Sequence, residues 1–166
     1  VLTSAEKVSL LSEAESKALS DTMAELNRYA FEATAGVKVD GCTDITGFGL
    51  LGHCVEMASA SDVTFELQVK DIAYLEEAVS YAKMGLVPAG AYKNREYSAE
   101  MVDMEHVEEH YIDLLYDPQT SGGLLISVSP EYVDDIMKAF EEKNMDTKVS
   151  IIGKVVEKGD KLIRLY

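Results

Sequence analysis

The chain between residues 43 and 53 reads Thr43-Asp44-Ile45-Thr46-Gly47-Phe48-Gly49-Leu50-Leu51-Gly52-His53. It places one carboxylate beside a glycine-rich turn that opens a predicted helix. Unpaired backbone N–H groups and the positive end of the helix dipole favour an anion at such a turn, and glycine lets the anion approach the backbone. Asp44 can then hold the hard cation that accompanies a polyphosphate. The spacing fits a tight strand-to-helix connection equally well, because it matches neither a Walker loop nor a dinucleotide-binding fingerprint.

Predicted secondary structure lies on both sides of this turn. Residues 37–42 alternate as a strand does and deliver Asp44 to its carboxyl end. An apolar face over residues 48–60 predicts a helix packed on the core. Toward the N-terminus, Ser12-Glu13-Ala14-Glu15 has the form of a capping box, and helical spacing of apolar residues continues as far as Gly36. The pattern therefore predicts one long amphipathic helix before the first strand.

The middle of the chain continues the alternation of strand and helix. Residues 63–69 predict a strand with one buried face, and residues 74–82 predict a helix that stops at Gly85. Residues 85–95 read as a long irregular loop, either functional or simply a connection. The acidic segment 100–115 predicts a mostly exposed helix.

A second glycine-bearing turn occupies residues 116–123 and precedes the continuous apolar run 124–128, which is typical of a central strand. Asp117 lies at this turn, and Asp44 lies at the first turn. Two carboxylates would flank one magnesium–phosphate cluster if the turns meet in space. For Asp117 the alternative is a local Asx-type turn, which aspartate favours before proline.

The C-terminal segment predicts a helix from Ser129 through Phe140 with Asn144 as its stop, followed by a hairpin of residues 149–156 and 161–165. The whole pattern predicts the α+β fold class, a layered α/β/α domain with a mixed sheet and a single core. At 166 residues the chain is the size of one domain.

Charge and composition limit the partners. The chain has 15 basic and 30 acidic side chains, a formal charge of −15, and this charge argues against binding nucleic acid or an anionic membrane surface. No apolar run is long enough for a membrane span, and no signal peptide is recognisable, so we expect a cytoplasmic protein. A start on valine rather than methionine is typical of a piece of a longer chain, although processing gives the same start.

Other chemistry-bearing side chains give weaker signals. His106 and His110 have the i, i+4 spacing that can put two imidazoles on one helix face, but surface histidines explain the pair as well. His53 lies one turn into the helix after the glycines, where it either contacts a ligand or serves packing and capping. Cys42 and Cys54 fit neither a disulfide framework nor a zinc site, and we expect both thiols to be buried.

Three ordered runs resemble one enzyme family. The segment from Cys42 to His53 closely resembles the selenophosphate synthetases, also called selenide, water dikinases. The similarity continues in two further runs, Gly85-Leu86-Val87-Pro88-Ala89-Gly90 with Asn94-Arg95, and Leu115-Tyr116-Asp117-Pro118-Gln119-Thr120-Ser121-Gly122-Gly123-Leu124-Leu125. Three runs in order are more specific than any one of them.

The resemblance implies that residues 1–166 are the single C-terminal domain of a two-domain enzyme, with the fold of the C-terminal domain of aminoimidazole ribonucleotide synthetase. The full enzyme would make selenophosphate, AMP and phosphate from selenide, ATP and water, with Mg²⁺ as cofactor. The reactive cysteine or selenocysteine lies in the other half in that family, so no catalytic residue is expected in this chain, and the isolated half should be inactive. The expected partners are ATP, selenide, the N-terminal domain and, for the full-length protein, a second copy in a homodimer.

From this half, the resemblance carries over one metal ligand, Asp44. Thr43, Thr46, Gly47 and Gly49 would shape the phosphate-facing loop and bind the nucleotide. Contacts of His53, Asn94 and Asp117 with ligand stay open. Two alternatives also stay open: a related ATP-dependent enzyme of the same superfamily, and a non-catalytic acidic module that binds a protein partner.

Overall fold

The computed structural model describes residues 1–143 and 148–166. Short 3₁₀ turns connect several of its regular elements. The α-helices of this part of the chain are α1 (Leu2–Lys7), α2 (Glu13–Ala24), α3 (Arg28–Ala33), α4 (Gly49–Ser61), α5 (Glu76–Lys83), α6 (Ala89–Ser98), α7 (Glu109–Leu115) and α8 (Val133–Lys143). The strands are β1 (Val39–Asp44), β2 (Val63–Leu67), β3 (Val102–Asp103), β4 (Leu124–Val128), β5 (Gly153–Glu157) and β6 (Ile163–Leu165).

The strands form two sheets. Strands β1 and β4 pair antiparallel, and the second sheet has the order β3-β6-β2-β5. In the second sheet β6 runs parallel to both β2 and β3, whereas β5 runs antiparallel to β2. Helices together with a mixed sheet confirm the predicted α+β class.

The pairing of β1 with β4 determines where the two glycine-bearing turns lie. Asp44 at the end of β1 is opposite Leu124 at the start of β4, and Thr43 is opposite Leu125. Because the strands are antiparallel, the turn that leaves β1 and the turn that enters β4 emerge at the same end of this sheet.

Helix α4 joins the first turn to the main core. Its residues Leu51, Cys54, Val55 and Ala58 are buried in a cluster with residues of β2, β6 and α7. Two smaller clusters lie elsewhere, one around Leu19 on α2 and one around Phe140 on α8. The prediction of a single core is therefore wrong for the described residues, and the helix that follows the glycine-rich turn packs in the main cluster.

The prediction of one long N-terminal helix is wrong in the middle of that segment. The capping box of Ser12 is present, with Glu15 N donating to Ser12 Oγ at 3.3 Å and Ser12 N donating to the Glu15 carboxylate at 2.7 Å. The helix nevertheless ends at Ala24, because Glu25 takes an extended backbone with ψ 135°. The Ser121 hydroxyl donates to the Glu25 carbonyl at 2.9 Å, so a tertiary contact holds the break.

Two segments of the middle region also differ from the prediction. The expected loop 85–95 contains helix α6, which begins after the extended Pro88 and buries Ala91. Within the expected helix 100–115, the α-helix begins only at Glu109. Val102 lies instead in strand β3 and pairs with Ile163 of β6.

The prediction of a C-terminal hairpin is wrong as well. Strands β5 and β6 do not pair with each other but lie on opposite sides of β2. Strand β4 is not central, since among the described residues it pairs only with β1. The helix after Pro130 is present as α8, and the predicted stop at Asn144 lies outside the described residues.

Candidate phosphate and metal site

The two glycine-bearing turns meet, as a shared site requires. Ile45 N donates to the Gly123 carbonyl at 3.0 Å, and Gly122 N donates to the Ile45 carbonyl at 2.9 Å. Gln119 N donates to the Thr46 carbonyl at 3.0 Å. The backbones of the turns are therefore fixed to one another by hydrogen bonds.

Two glycines are required for this close approach. Gly49 has φ +68°, and a Cβ there would lie 2.7 Å from the Tyr116 carbonyl carbon. A Cβ on Gly122 would lie 2.8 Å from the Ile45 carbonyl oxygen. Gly47 differs from both, because a Cβ there would meet no atom within 4 Å. Gly49 and Gly122 thus serve the contact between turns, whereas Gly47 leaves open space.

Asp44 lies at the open side of this junction. It is exposed at the end of β1, and its carboxylate has no hydrogen-bond or ion-pair partner within residues 1–143 and 148–166. The neighbouring Thr43 hydroxyl donates to the Asp44 backbone carbonyl at 3.3 Å. An accessible carboxylate oxygen is the type of ligand that Mg²⁺ takes. In the part of the chain that the structure describes, no three His, Cys, Asp or Glu side chains are grouped to hold a metal.

Asp117 has a different environment. It is buried, and its carboxylate accepts a hydrogen bond from Gln119 Nε2 at 3.1 Å. Burial raises the pKa of Asp117, while the hydrogen bond from Gln119 opposes that rise. This contact differs from the Asx-type turn expected from the sequence, because its donor is a side-chain amide and not a backbone N–H group of the turn. The two turns converge, but their two carboxylates have different environments.

The Thr46 side chain is tied to helix α4. Thr46 Oγ1 lies 3.2 Å from His53 Nε2, and His53 Nδ1 lies 3.0 Å from a carboxylate oxygen of Glu56. His53 is only 7% exposed. The sequence left open whether His53 serves packing or contacts a ligand. In the structure its ring contacts Thr46, a loop residue that was predicted to face phosphate.

No pattern in the sequence identified Asn94 as a functional residue. Its side-chain nitrogen donates to the Gly47 carbonyl at 2.9 Å and to the Tyr116 carbonyl at 3.0 Å. One amide on α6 thus links the first turn to the second. The sequence could not reveal this role, because the partners lie 47 and 22 residues away and the segment was read as a loop.

We expect Asn94→Asp to destabilise the protein by about 2–3 kcal/mol. The carboxylate cannot donate and would face two carbonyl oxygens, which leaves partly buried acceptors unpaired beside a charge. The measurement is the free energy of unfolding from urea titrations. Asn27→Asp is the matched control, since Asn27 precedes α3 without a side-chain capping bond and aspartate is favoured at that position. A loss no larger than that of the control would contradict the bridging role of Asn94.

The two histidines do not share a helix face, although their i, i+4 spacing allows one. His110 is in α7, but His106 lies before that helix begins. His110 Nδ1 lies 3.7 Å from a Glu108 carboxylate oxygen, and its Nε2 is buried without a hydrogen-bond partner among the described residues.

The two cysteines differ in accessibility. Cys54 is buried, as predicted, and burial raises its pKa to about 12. Cys42 is exposed, so the prediction for it is wrong, and partial burial together with the Asp44 charge raises its pKa above the usual value. Neither thiol is activated as a nucleophile.

Alkylation in the native protein should therefore modify Cys42 but spare Cys54 until the protein unfolds. Because the thiolate is the reacting form and the pKa of Cys42 is raised, its rate should reach half-maximum at a higher pH than that of an ordinary exposed cysteine. Peptide mass spectrometry after timed iodoacetamide treatment distinguishes the two sites, and Cys42→Ser confirms the assignment. A low-pH midpoint for Cys42 would contradict the environment described.

None of the described helices is long and apolar enough to cross a membrane.

Comparison with known proteins identifies close relatives. The chain is 48% identical over 144 residues to selenide, water dikinase 2 of Peptoclostridium acidaminophilum, covering 85% of this chain and 40% of the relative. It is 43% identical over 164 residues to selenide, water dikinase of Clostridioides difficile (strain 630), covering 98% of this chain and 47% of the relative. The chain thus spans less than half the length of these curated relatives.

A family model supports the same assignment. The model for the C-terminal domain of AIR synthase related proteins matches residues 2–165, which is nearly the whole chain. Together with the α+β fold and the joined glycine-bearing turns, this match means that the chain belongs to the family of AIR synthase related protein C-terminal domains.

Proposed function

We propose that this chain is the C-terminal domain of a selenide, water dikinase, which makes selenophosphate, AMP and phosphate from selenide, ATP and water. The observation that carries the proposal is identity of 40–48% to proteins named selenide, water dikinase. Because those relatives are about twice as long, the proposal includes a preceding domain that supplies the reactive residue and most of the ATP site. The domain alone would then be inactive.

Within this chain we assign the phosphate-facing surface to the turn that follows β1. Asp44 would hold Mg²⁺, and Thr43, Thr46, Gly47 and Gly49 would shape the loop toward the nucleotide. The carboxylate of Asp44, exposed and without a partner among the described residues, fits this role, as does the open space beside Gly47. Bound Mg²⁺ would neutralise charge on the polyphosphate, which is the main electrostatic demand of phosphoryl transfer.

The proposed assembly also includes partners and a location. ATP and selenide would bind between this domain and the preceding one, and the full-length protein would form a homodimer in the cytoplasm. The acidic-module alternative has only the charge of −15 in its favour. An excess of acidic side chains serves solubility as well, so it does not favour that alternative specifically.

The test uses the full-length protein that contains this chain. With Mg²⁺, ATP and selenide we expect AMP and phosphate to accumulate together with a selenium-containing phosphate product observed by ³¹P NMR. Omitting selenide or Mg²⁺ should abolish product formation. AMP formation that is indifferent to selenide, or no AMP with all components present, would refute the dikinase assignment and favour another activity of the superfamily.

A further inference from the structure

Three side chains form a hydrogen-bonded series behind the first glycine-rich turn. The series starts at the Thr46 hydroxyl, passes through the His53 ring and ends at the Glu56 carboxylate, with separations of 3.2 Å and 3.0 Å. Thr46 belongs to the loop, whereas His53 and Glu56 lie about one turn and two turns into α4. The series therefore connects the candidate ligand surface to a helix of the main core.

The backbone and the His53 ring are both held in place. The Thr46 carbonyl accepts from Gly49 N and from Gln119 N, each at 3.0 Å, so both turns fix the residue. The Phe48 ring meets the His53 ring edge-on at a centroid distance of 5.8 Å. A Cβ on Gly52 would collide with Phe48, so glycine there permits this packing. Thr46 and the His53 ring are thus held in place on both sides of their hydrogen bond.

Hydrogen-bond chemistry favours one arrangement of the protons. The Glu56 carboxylate can accept from His53 Nδ1 when that nitrogen carries the ring proton. In this tautomer Nε2 is an acceptor, because the partner of one ring nitrogen sets the state of the other. Thr46 would then donate its only hydroxyl proton to His53 Nε2, and the lone pairs of Thr46 Oγ1 would stay available to groups outside the series.

We propose that His53, held by Glu56, is a positioning residue that makes the Thr46 hydroxyl an acceptor at the ligand surface. An acceptor two residues along the chain from Asp44 suits a water molecule carried by Mg²⁺, which usually keeps several waters when it binds through one or two carboxylates. The role in turnover rests on the proposed dikinase function. The orientation of the hydroxyl does not, and it can be measured separately.

The first experiment measures the proton positions without requiring activity. The full-length protein is labelled with ¹⁵N-histidine, and long-range ¹H–¹⁵N spectra identify which nitrogen of each ring is protonated; the His53→Gln spectrum assigns the signals. We expect the proton of the His53 ring on Nδ1 and none on Nε2. Glu56→Gln should weaken this preference, and Glu141→Gln on α8 should leave it unchanged. Protonation of Nε2, alone or with Nδ1, would overturn the proposal.

The second experiment separates positioning from packing. His53→Gln places an amide near the Nε2 position and can accept from Thr46, whereas His53→Asn places it near Nδ1 and can only reach Glu56. We expect His53→Asn to lower selenide-dependent AMP formation about tenfold and His53→Gln to lower it much less. Thr46→Val should resemble His53→Asn, and the exposed Glu141→Gln on α8 should stay near the parent.

The double variant Thr46→Val with His53→Asn completes the test. If His53 acts through Thr46, the double variant should be no slower than Thr46→Val alone. Additive losses, or losses that follow the melting temperatures of the variants, would mean that His53 is merely structural. If the parent protein forms no selenide-dependent AMP, the dikinase proposal fails, and the histidine spectra still decide whether the hydroxyl orientation is correct.

Discussion

Asp44→Asn in the full-length protein is expected to reduce selenide-dependent AMP formation by about 100-fold or more. Asparagine keeps the size and one oxygen of the side chain but removes the charge that would hold Mg²⁺ against the polyphosphate. Asp44 makes no hydrogen bond or ion pair within the described residues, so the fold should lose little. A selective loss of activity would therefore report on ligand binding.

The matched control is Asp40→Asn on the same strand. Asp40 accepts a hydrogen bond from the Ser129 hydroxyl at 2.9 Å, and an asparagine oxygen can still accept it. This variant should retain the parental rate. For Asp44→Asn, the Mg²⁺ concentration that gives half the maximal rate should also rise, because the lost group is a proposed metal ligand. Parental activity and parental Mg²⁺ dependence in Asp44→Asn would remove Asp44 from the site.

Gly49→Ala is expected to lower the free energy of unfolding by about 2–4 kcal/mol, from the unfavourable left-handed backbone and from overpacking. The glycine has φ +68°, and the added methyl would press against the carbonyl of Tyr116 on the second turn. Because backbone atoms cannot rotate away as a flexible side chain can, the two turns would have to separate. Activity should fall with stability, since separation displaces the loop that carries Thr46.

Gly85→Ala is the control that isolates the collision. Gly85 has a similar φ of +79°, but a Cβ there would meet nothing within 4 Å. It should therefore cost only about 1 kcal/mol, the backbone component alone. Urea titrations of both variants measure the difference. Equal losses would show that the turns can move apart freely and that the contact at Gly49 does not hold them.

Local patterns were sufficient where an element is determined by its own residues. The capping box at Ser12, the apolar face of α4 and the strand β2 each belong to a short segment, and each is present in the structure, although Thr64 of β2 is buried and not exposed as the alternation predicts. Asp44 was placed at the end of its strand for the same reason. Here the physical cause and the sequence signal occupy the same few positions.

Long-range pairing could not be predicted in the same way. Strands β5 and β6 look like a hairpin because they are neighbours in sequence, but β2 contributes hydrogen-bonding edges to both and lies between them. Helix α6 lacks a clear apolar period, and its position depends on Asn94 reaching carbonyls on two turns. The link between His53 and Thr46 depends equally on how the turn folds back on α4. These features depend on three-dimensional proximity, which periodicity does not encode.

The contrast between Gly47 and Gly49 affects how a tolerance map of this loop should be interpreted. Gly49 touches the opposite turn, so intolerance there reports on assembly of the protein and carries no information about nucleotide. Gly47 has space for a larger residue and an ordinary backbone conformation, so the fold itself does not demand glycine at that position. A library of all substitutions in this loop can be sorted once for protein abundance and once for turnover. A position that tolerates substitutions in the first sort but not in the second lies where a ligand comes close to the loop.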